Sequence, residues 1–523
     1  MSTIPFEKEF RFLMNASAEK RVKSQQNAVE LLFENYRDAL QSTAALKQDA
    51  AYQTLRKRLS DATVIFSLTD LQKQIYHNDT GTSMIPQALK RNLLNIKCRF
   101  VVRPGKLEDV QKFIEFARSE KVKFTIRGAG TWPFGGAVPL NNEVVLDLSY
   151  LDFHAIDPEK ARLTVGPGVI FADMRRYLRD NGFALRQQIT NPNSGTICGW
   201  VVTGGLGIGA YKYGHVRNSV EAIFMLKPDG QWATLTPEDP LFEQVFDSEG
   251  QIGVVVGVSL KVKPQTYKSK PYAFSFTNPN HVRDFLKLVR EWELQPTSIL
   301  YFDQNYIKTT HEIAKKKAQK SLEKAVAKDD DLKISKARRS LDVADQLRDL
   351  QHVVVMEFDQ QEDYEKALKF YPFNSRSEQS RYHELPFWRL GVSVAHKFWE
   401  HRFAPVEMKQ RGPSMLVSEA IIPEEKLPEY MNFIQSAVTN WTGNPVKNEA
   451  HVLQNNEIMI QSILLADTET SRHKVYYGLG RAVARVALPD RLRRCHRKSR
   501  LRQLRRAVGR TETPRSIYAK LRR

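Results

Sequence analysis

Cysteine is scarce in this chain. Cys98, Cys198 and Cys495 are its only three in 523 residues, and they lie far apart. There is no CxxC pair and no cysteine-rich cluster, so neither an iron–sulfur cluster nor a structural zinc site is expected. So few thiols suit a reducing compartment. Long apolar runs are missing too: none approaches the ~18 residues of a membrane-spanning helix. The opening MSTIPFEKEFRFLMNASAEK carries charges where a signal peptide needs its apolar core. The expectation is a cytoplasmic protein without a transmembrane segment.

Acidic residues are nearly absent from one region. Between Arg472 and Arg523 there are 18 Lys and Arg against Asp490 and Glu512, whereas the remaining chain holds 61 basic and 57 acidic side chains. The formal net charge of +20 is therefore a property of one tail on a near-neutral body. Three readings are open for the tail: a polybasic arm for nucleic acid or anionic lipid, a basic amphipathic helix that binds a partner, or a stretch without a selected fold, such as a translated frameshift. The arm reading would allow a polyanion or anionic-membrane contact and a place at the inner membrane face.

Two phosphate-loop patterns also fail. In TIRGAGTWPFGG (125–136), Gly128 and Gly130 fit the start of G-x-G-x-x-G, but the third glycine position is Pro133. A Val/Leu run follows in place of a helix, so no helix dipole faces the loop. No Gly-Lys-Ser/Thr follows either, which excludes a Walker loop.

What is present is glycine concentrated beside strands. Residues 194–214, SGTICGWVVTGGLGIGAYKYG, hold seven glycines, and DSEGQIGVVVGVSLKVKP (247–264) forms a third such stretch. Such density costs backbone entropy and suits backbone lying flat against a bulky planar or phosphate-bearing ligand. No Lys or Arg cluster accompanies the loops, so backbone N–H groups would hold the phosphates, as in an anion nest.

The elements around these loops alternate. CRFVVRP reads as a strand, KLEDVQKFIEFARSE as a helix with Val110, Phe113, Ile114 and Ala117 on one face, and VKFTI as the next strand. EVVLDLSYL and ARLTVGPGV are further strands, and FADMRRYLRDNG is a helix with Gly182 as its C-terminal cap. NAVELLFENYRDAL is an N-terminal helix. Beyond Pro264, HVVVMEF and SMLVSEAIIP read as strands, EEKLPEYMNFIQSAV as a helix, and 310–350 as a long exposed helical insertion. The fold class expected is α+β. A helical N-terminal extension (1–90) precedes a glycine-loop domain (95–265), then a second α+β domain (270–470) and the basic tail (472–523).

The ordered set VVRP, EDV, IRGAGT, LTVGPGV, TICGW, YG and SEGQIGVV resembles the FAD-binding domain of the vanillyl-alcohol oxidase/para-cresol methylhydroxylase superfamily. The likeness is greatest to its branch of D-lactate and glycolate dehydrogenases and alkyl-dihydroxyacetone-phosphate synthase, strong over 95–265 and weaker over 270–470, the cap. It implies a two-subdomain FAD-binding domain plus a substrate-binding cap. It implies that Arg127, Gly128, Ala129, Gly130, Thr131 and Trp132 cradle the FAD pyrophosphate. It places Asn193, Ser194, Gly195 and Thr196, with Thr203, Gly204, Gly205 and Leu206, along the flavin and its ribityl-phosphate chain. Glu249, Gly250, Ile252, Gly253 and Val254 would lie on the other side.

The chain departs from that pattern at three places. Thr131-Trp132 stands where covalent members carry a His, so FAD is expected to be non-covalent. NEAHVLQNNEIMI has His451 without the glycines or second His of a metal motif, and the histidine run and tyrosine motif of the synthase are absent. After about Pro489 the chain turns to arginine where the family returns to the flavin domain. The resemblance implies an oxidoreductase acting on a 2-hydroxy acid or related alcohol by hydride transfer to FAD. The alternatives are a non-redox synthase-like flavoenzyme and a degenerate protein acting through its tail. In the cap, Arg402, Arg411, Glu419 and His451 are the candidates for catalysis: a base for the hydroxyl proton and an Arg fork for a carboxylate. The electron acceptor (quinone, protein or oxygen) and the oligomeric state are left open.

Overall fold

The computed structural model describes residues 44–79, 95–132, 134–265, 270–370, 373, 379–382, 385–402, 414–439 and 444–466. The helix expected over NAVELLFENYRDAL, the candidate Arg411 and the basic tail lie outside them. The chain forms two compact units. The first takes the described residues up to Gly205 and His215–Gln265; the second takes Leu206–Gly214 and the described residues from Lys270 on. Leu206–Gly214 thus leaves the stretch expected to form the first domain and counts with the second.

In the first unit, α1 (Ala50–Arg56), β1 (Val64–Phe66) and α2 (Asp70–Tyr76) precede a four-stranded sheet. Its other strands are β2 (Cys98–Arg103), β3 (Phe124–Arg127) and β4 (Glu143–Asp147), in the order β1-β2-β4-β3. β2, β4 and β3 run parallel and β1 is antiparallel to β2. The crossover from β2 to β3 is α3 (Leu107–Ser119). Its Val110, Phe113, Ile114 and Ala117 are buried, the i, i+3, i+4, i+7 face that drives an amphipathic helix onto a sheet. Glu108 and Asp109 in its first turn and Arg118 in its last complement the helix dipole.

A second, antiparallel sheet follows: β5 (His154–Asp157), β6 (Arg162–Val165), β10 (Val254–Pro264), β8 (Val220–Leu226) and β9 (Trp232–Leu235), with β7 (Phe183–Leu185) paired to β10. The helices α4 (Phe171–Asp180), α5 (Ile197–Val202) and α7 (Phe242–Val245) share one core with it through Phe171, Trp200 and Phe242. Gly182, at φ +78°, bonds back to Arg179 just past the end of α4. Residues of both sheets, Phe100 and Val144 with Phe224 and Val254, meet in a second core.

The second unit begins with α6 (Ala210–Tyr213) and is built on one antiparallel eight-stranded sheet. Its strands are β11 (Lys270–Phe276), β12 (Ser298–Phe302), β13 (His352–Phe358), β14 (Gln379–Tyr382), β15 (Leu385–Arg389), β16 (Ser414–Pro423), β17 (Lys447–Val452) and β18 (Glu457–Ala466). They lie in the order β14-β15-β11-β13-β12-β17-β18-β16. One face buries Phe274, Tyr301, Ala450 and Ile460 with Phe285 of α8 (Pro279–Glu291) and Tyr430 of α13 (Leu427–Ile434). The insertion is two helices, α9 (Gln304–Val326) and α10 (Asp331–Asp345), not one. Asp329, at φ +51°, breaks the run, and Asp330 accepts from Lys333 N to cap the second helix. α11 (Gln361–Ala367) and α12 (Val392–His401) complete the set used below.

Candidate cofactor and substrate sites

The three glycine stretches meet in the first unit. A Cβ on Gly128 would stand 2.9 Å from Thr196 Oγ1, and one on Gly136 would stand 3.3 Å from Glu249 Oε2. The third stretch is tied to the second by Glu249 N, which donates to Val202 O at 2.9 Å.

The first loop is held from below by its own arginine. Arg127, at the end of β3, donates to the carbonyls of Ile75 (3.1 Å), Asn78 (3.2 Å) and Ala137 (3.2 Å), and its guanidinium lies over the Tyr76 ring. Asp79 accepts from Gly135 N at 2.6 Å. Gly130, at φ +66°, rests directly on the guanidinium, where a Cβ would collide with it. Arg127 was a candidate phosphate ligand; its side chain is taken up in supporting the loop.

Above that support the loop is rich in open donors. Among the described residues, nothing accepts from the backbone N–H groups of Gly128 to Trp132, and the buried Trp132 Nε1 has no partner. A buried donor such as Trp132 Nε1 is ordinarily satisfied, and the partly exposed N–H groups of the glycine loop beside it suit an anion such as a pyrophosphate. By this test the residues fit an FAD.

The remaining candidates are distributed as follows. Asn193 and Ser194 are exposed, and Gly195 and Thr196 are buried at the start of α5. Thr203 Oγ1 turns back to Trp200 O (3.1 Å). Gly204 has φ +101° and Gly205 φ +53°. Asp247 (φ +59°) and Glu249 (φ +51°) are non-glycine residues held in the left-handed region, next to Gly250 at +74°, a strained loop of the kind found at functional sites. Ile252 is partly buried, and Gly253 and Val254 enter β10 buried. Leu206 packs instead in the second unit, beside Ala210, Leu453, Met459 and Ile421.

In the second unit, Arg402, Glu449 and His451 meet Leu300 and Phe302 around one crevice, too tight to admit a water molecule. Strand register explains the grouping. Phe302 faces Glu449, Glu449 faces Gln461 and Gln461 faces Glu419, while Leu300 faces His451 one step along. Glu419 accepts from Gln461 Nε2 at 3.0 Å. Arg402 follows α12 and donates to Trp399 O while lying over its ring. Burial pushes the Glu449 carboxyl up to about 7; the Tyr306 hydroxyl beside it pulls the other way, and Glu419 adds to the rise. Burial pushes His451 down to about 4. Glu449 was not among the sequence candidates, although it stands two residues before His451, the spacing that puts two strand residues on one face. Among the described residues no group of three or more His, Cys, Asp or Glu stands ready to hold a metal ion.

With this geometry in place, the comparisons with known proteins are specific. Residues 98–236 match the FAD binding domain family. The first unit is an FAD-binding domain, with FAD as its cofactor. The fold is similar to that of p-cresol methylhydroxylase with substrate bound, whose solved structure superimposes at a TM-score of 0.58, covering 86% of this chain and 93% of the other, at 14% identity. The chain is similar to a putative mitochondrial D-lactate dehydrogenase of Schizosaccharomyces pombe, 26% identical over 212 residues, 39% of this chain and 40% of that protein. It is also similar to a D-2-hydroxyglutarate dehydrogenase of Xanthomonas citri pv. viticola, 28% identical over 173 residues, 31% of this chain and 36% of that protein. The chain thus spans about two fifths of the length of the curated relatives it matches. Among the described residues no helix is long and apolar enough to cross a membrane.

Proposed function

We propose that this protein is an FAD-dependent oxidoreductase that oxidises a 2-hydroxy acid or related alcohol, with FAD held non-covalently. The observation that carries the reading is the meeting of the three glycine stretches around the free N–H groups of Gly128 to Trp132, in a domain whose relatives act on D-lactate and D-2-hydroxyglutarate. FAD, when bound, supplies the two-electron acceptor. The chain supplies orientation and proton handling. Ala129 and Gly130 offer backbone to the phosphates, and the Gly204–Gly205 turn and the Asp247–Gly250 loop shape the rest of the cradle.

In the second unit the candidate groups for substrate are Arg402, Glu449 and His451, which meet around a crevice too tight to admit a water molecule, so a substrate would have to open it. Arg402 matches a substrate carboxylate, and His451 and Glu419 are polar groups of the same sheet region. A reoxidant of the quinone, protein or oxygen class completes turnover. The cytoplasm is the compartment this reading favours, supported by the free thiols of Cys98 and Cys198.

The test is anaerobic. Purified protein with its visible flavin bands is mixed in turn with D-lactate, D-2-hydroxyglutarate and glycolate. Bleaching by at least one hydroxy acid is the expected result. Bands that persist with all three, in protein that keeps its flavin, would reject this activity and return the synthase-like reading.

A further inference from the structure

Where the second and third glycine stretches approach each other, Gly204 (+101°), Gly205 (+53°), Asp247 (+59°), Glu249 (+51°) and Gly250 (+74°) all have positive φ. For the three glycines this costs little. Asp247 and Glu249 carry side chains, and such backbone persists only where its surroundings over-determine it. Glu249 is held by its own N–H, which donates to Val202 O at 2.9 Å. Asp247 needs a different hold.

Arg217 supplies it. The residue before it, Val216, is 2% exposed and donates from its N to Gly205 O at 3.0 Å. The backbone at 217 is thereby fixed to the second stretch, while the side chain reaches the third. The guanidinium stands 3.8 Å from Asp247 Oδ2. It donates to Glu243 Oε2 of α7 at 2.8 Å and lies over the Phe246 ring, 5.3 Å from its centroid. His215 backs the arginine: its Nδ1 accepts from Arg217 N at 3.3 Å, and its Nε2 lies 3.2 Å from the guanidinium. Burial, with the Arg217 charge beside it, pushes that imidazole down to about 3, so it is neutral and does not repel the cation. The Asp247 carboxylate lies between the two stretches. One oxygen points to the guanidinium and the other packs on Gly204, where a Cβ would collide with it.

We propose that Arg217 is a positioning residue that locks the second and third glycine loops together in the conformation that binds FAD. This rests on the FAD cradle of the reading above and not on the hydroxy acid. Arginine suits the task because its planar fork serves several acceptors at once, whereas a lysine is a point charge that serves fewer. The strain to be offset is in the backbone of Asp247. A glycine there would adopt the same φ without help. The need for Arg217 should therefore disappear when residue 247 is glycine, which sets positioning apart from ordinary packing. Glu243 and Asp247 are both exposed, so removing the arginine leaves no buried carboxylate behind.

The experiment compares wild type, R217M, R217K, D247G and R217M/D247G as full chains stripped of flavin and titrated with FAD. Flavin fluorescence gives the affinity, and the visible circular dichroism of the bound flavin gives its setting. R217M is expected to bind FAD roughly three- to thirtyfold more weakly than wild type, with an altered dichroism spectrum. R217K should fall between the two. R217M/D247G should match D247G in both affinity and spectrum. Should R217M fail to fold, R217K and R217K/D247G carry the same comparison, with a loss expected in the first and none relative to D247G in the second. An arginine variant that binds as tightly as wild type would overturn the proposal. So would a loss of the same size with and without D247G, which would make Arg217 a packing residue of α7. Wild-type protein that binds no FAD would overturn the cradle itself, and this role with it.

Discussion

The Arg127 guanidinium donates to the Ile75 carbonyl, 52 positions back along the chain. Through that bond and its partner to Asn78, the end of α2 and the residues just after it become a support for the first glycine loop. A neutral side chain of similar length should fill the space and lose the bonds. R127M is therefore expected to weaken FAD binding by about ten- to a hundredfold, the usual worth of a charged hydrogen bond. Fluorescence titration of the apoprotein with FAD measures it. R127K should recover part of the loss, because an ammonium can still reach one or two of the carbonyls.

Gly204 tests the second loop. It sits at φ +101°, and a Cβ there would run into Asp247 Oδ1. G204A combines left-handed backbone strain with a steric clash, a loss of order 1–3 kcal/mol for the strain alone. A lowered melting temperature and loss of bound flavin on gel filtration are expected. The double variant G204A/D247A should regain the clash portion only, since the backbone angle is unchanged.

Much of this was readable in advance, for identifiable reasons. The glycine loops stood out because positive φ and close approach leave few alternatives to glycine. The face of α3 stood out because Val110, Phe113, Ile114 and Ala117 follow its helical period. The task of Arg127 was hidden, because a phosphate ligand and a carbonyl clamp ask for the same side chain and its partners lie far upstream. Glu449 was hidden for a different reason. Which strand residues share a cleft depends on the register of β12, β17, β18 and β16, which no local pattern states. The packing of Leu206 against Met459 is likewise tertiary.

Glu449 also makes stability depend on pH. Its folded pKa, about 7, lies above the ~4.3 of a free Glu. The folded state therefore binds the proton more tightly, and its contribution is full below about pH 4 and lost as pH rises through 7. E449Q cannot titrate. The stability of E449Q relative to wild type should rise between pH 4 and 7, by an amount on the order of 3 kcal/mol. Denaturant unfolding of the two proteins across that range checks the sign. A flat difference would show that the carboxyl is not perturbed by folding.

The proposed non-covalent FAD follows from Thr131-Trp132, where the first loop offers no histidine to bond the flavin. Acid precipitation of the yellow protein should leave the flavin in the supernatant, with the absorbance of free FAD. Colour retained in the pellet would mean a covalent bond from another residue, and peptide mapping of the yellow fragment would then find it.

On the proposed oxidoreductase reading, Arg402 would set substrate preference. Its guanidinium lines the crevice with Glu449 and His451, and a carboxylate is the natural anion for that fork. R402M should raise KM for a 2-hydroxy acid by about ten- to a hundredfold, with a smaller effect on the rate at saturation, because the bond is made in the ground state as well as in the transition state. An alcohol without a carboxylate should lose nothing on the same substitution, provided it reduces the flavin at all. Equal losses for both substrates would assign Arg402 to the packing of α12 over Trp399, and the carboxylate would then need another cation.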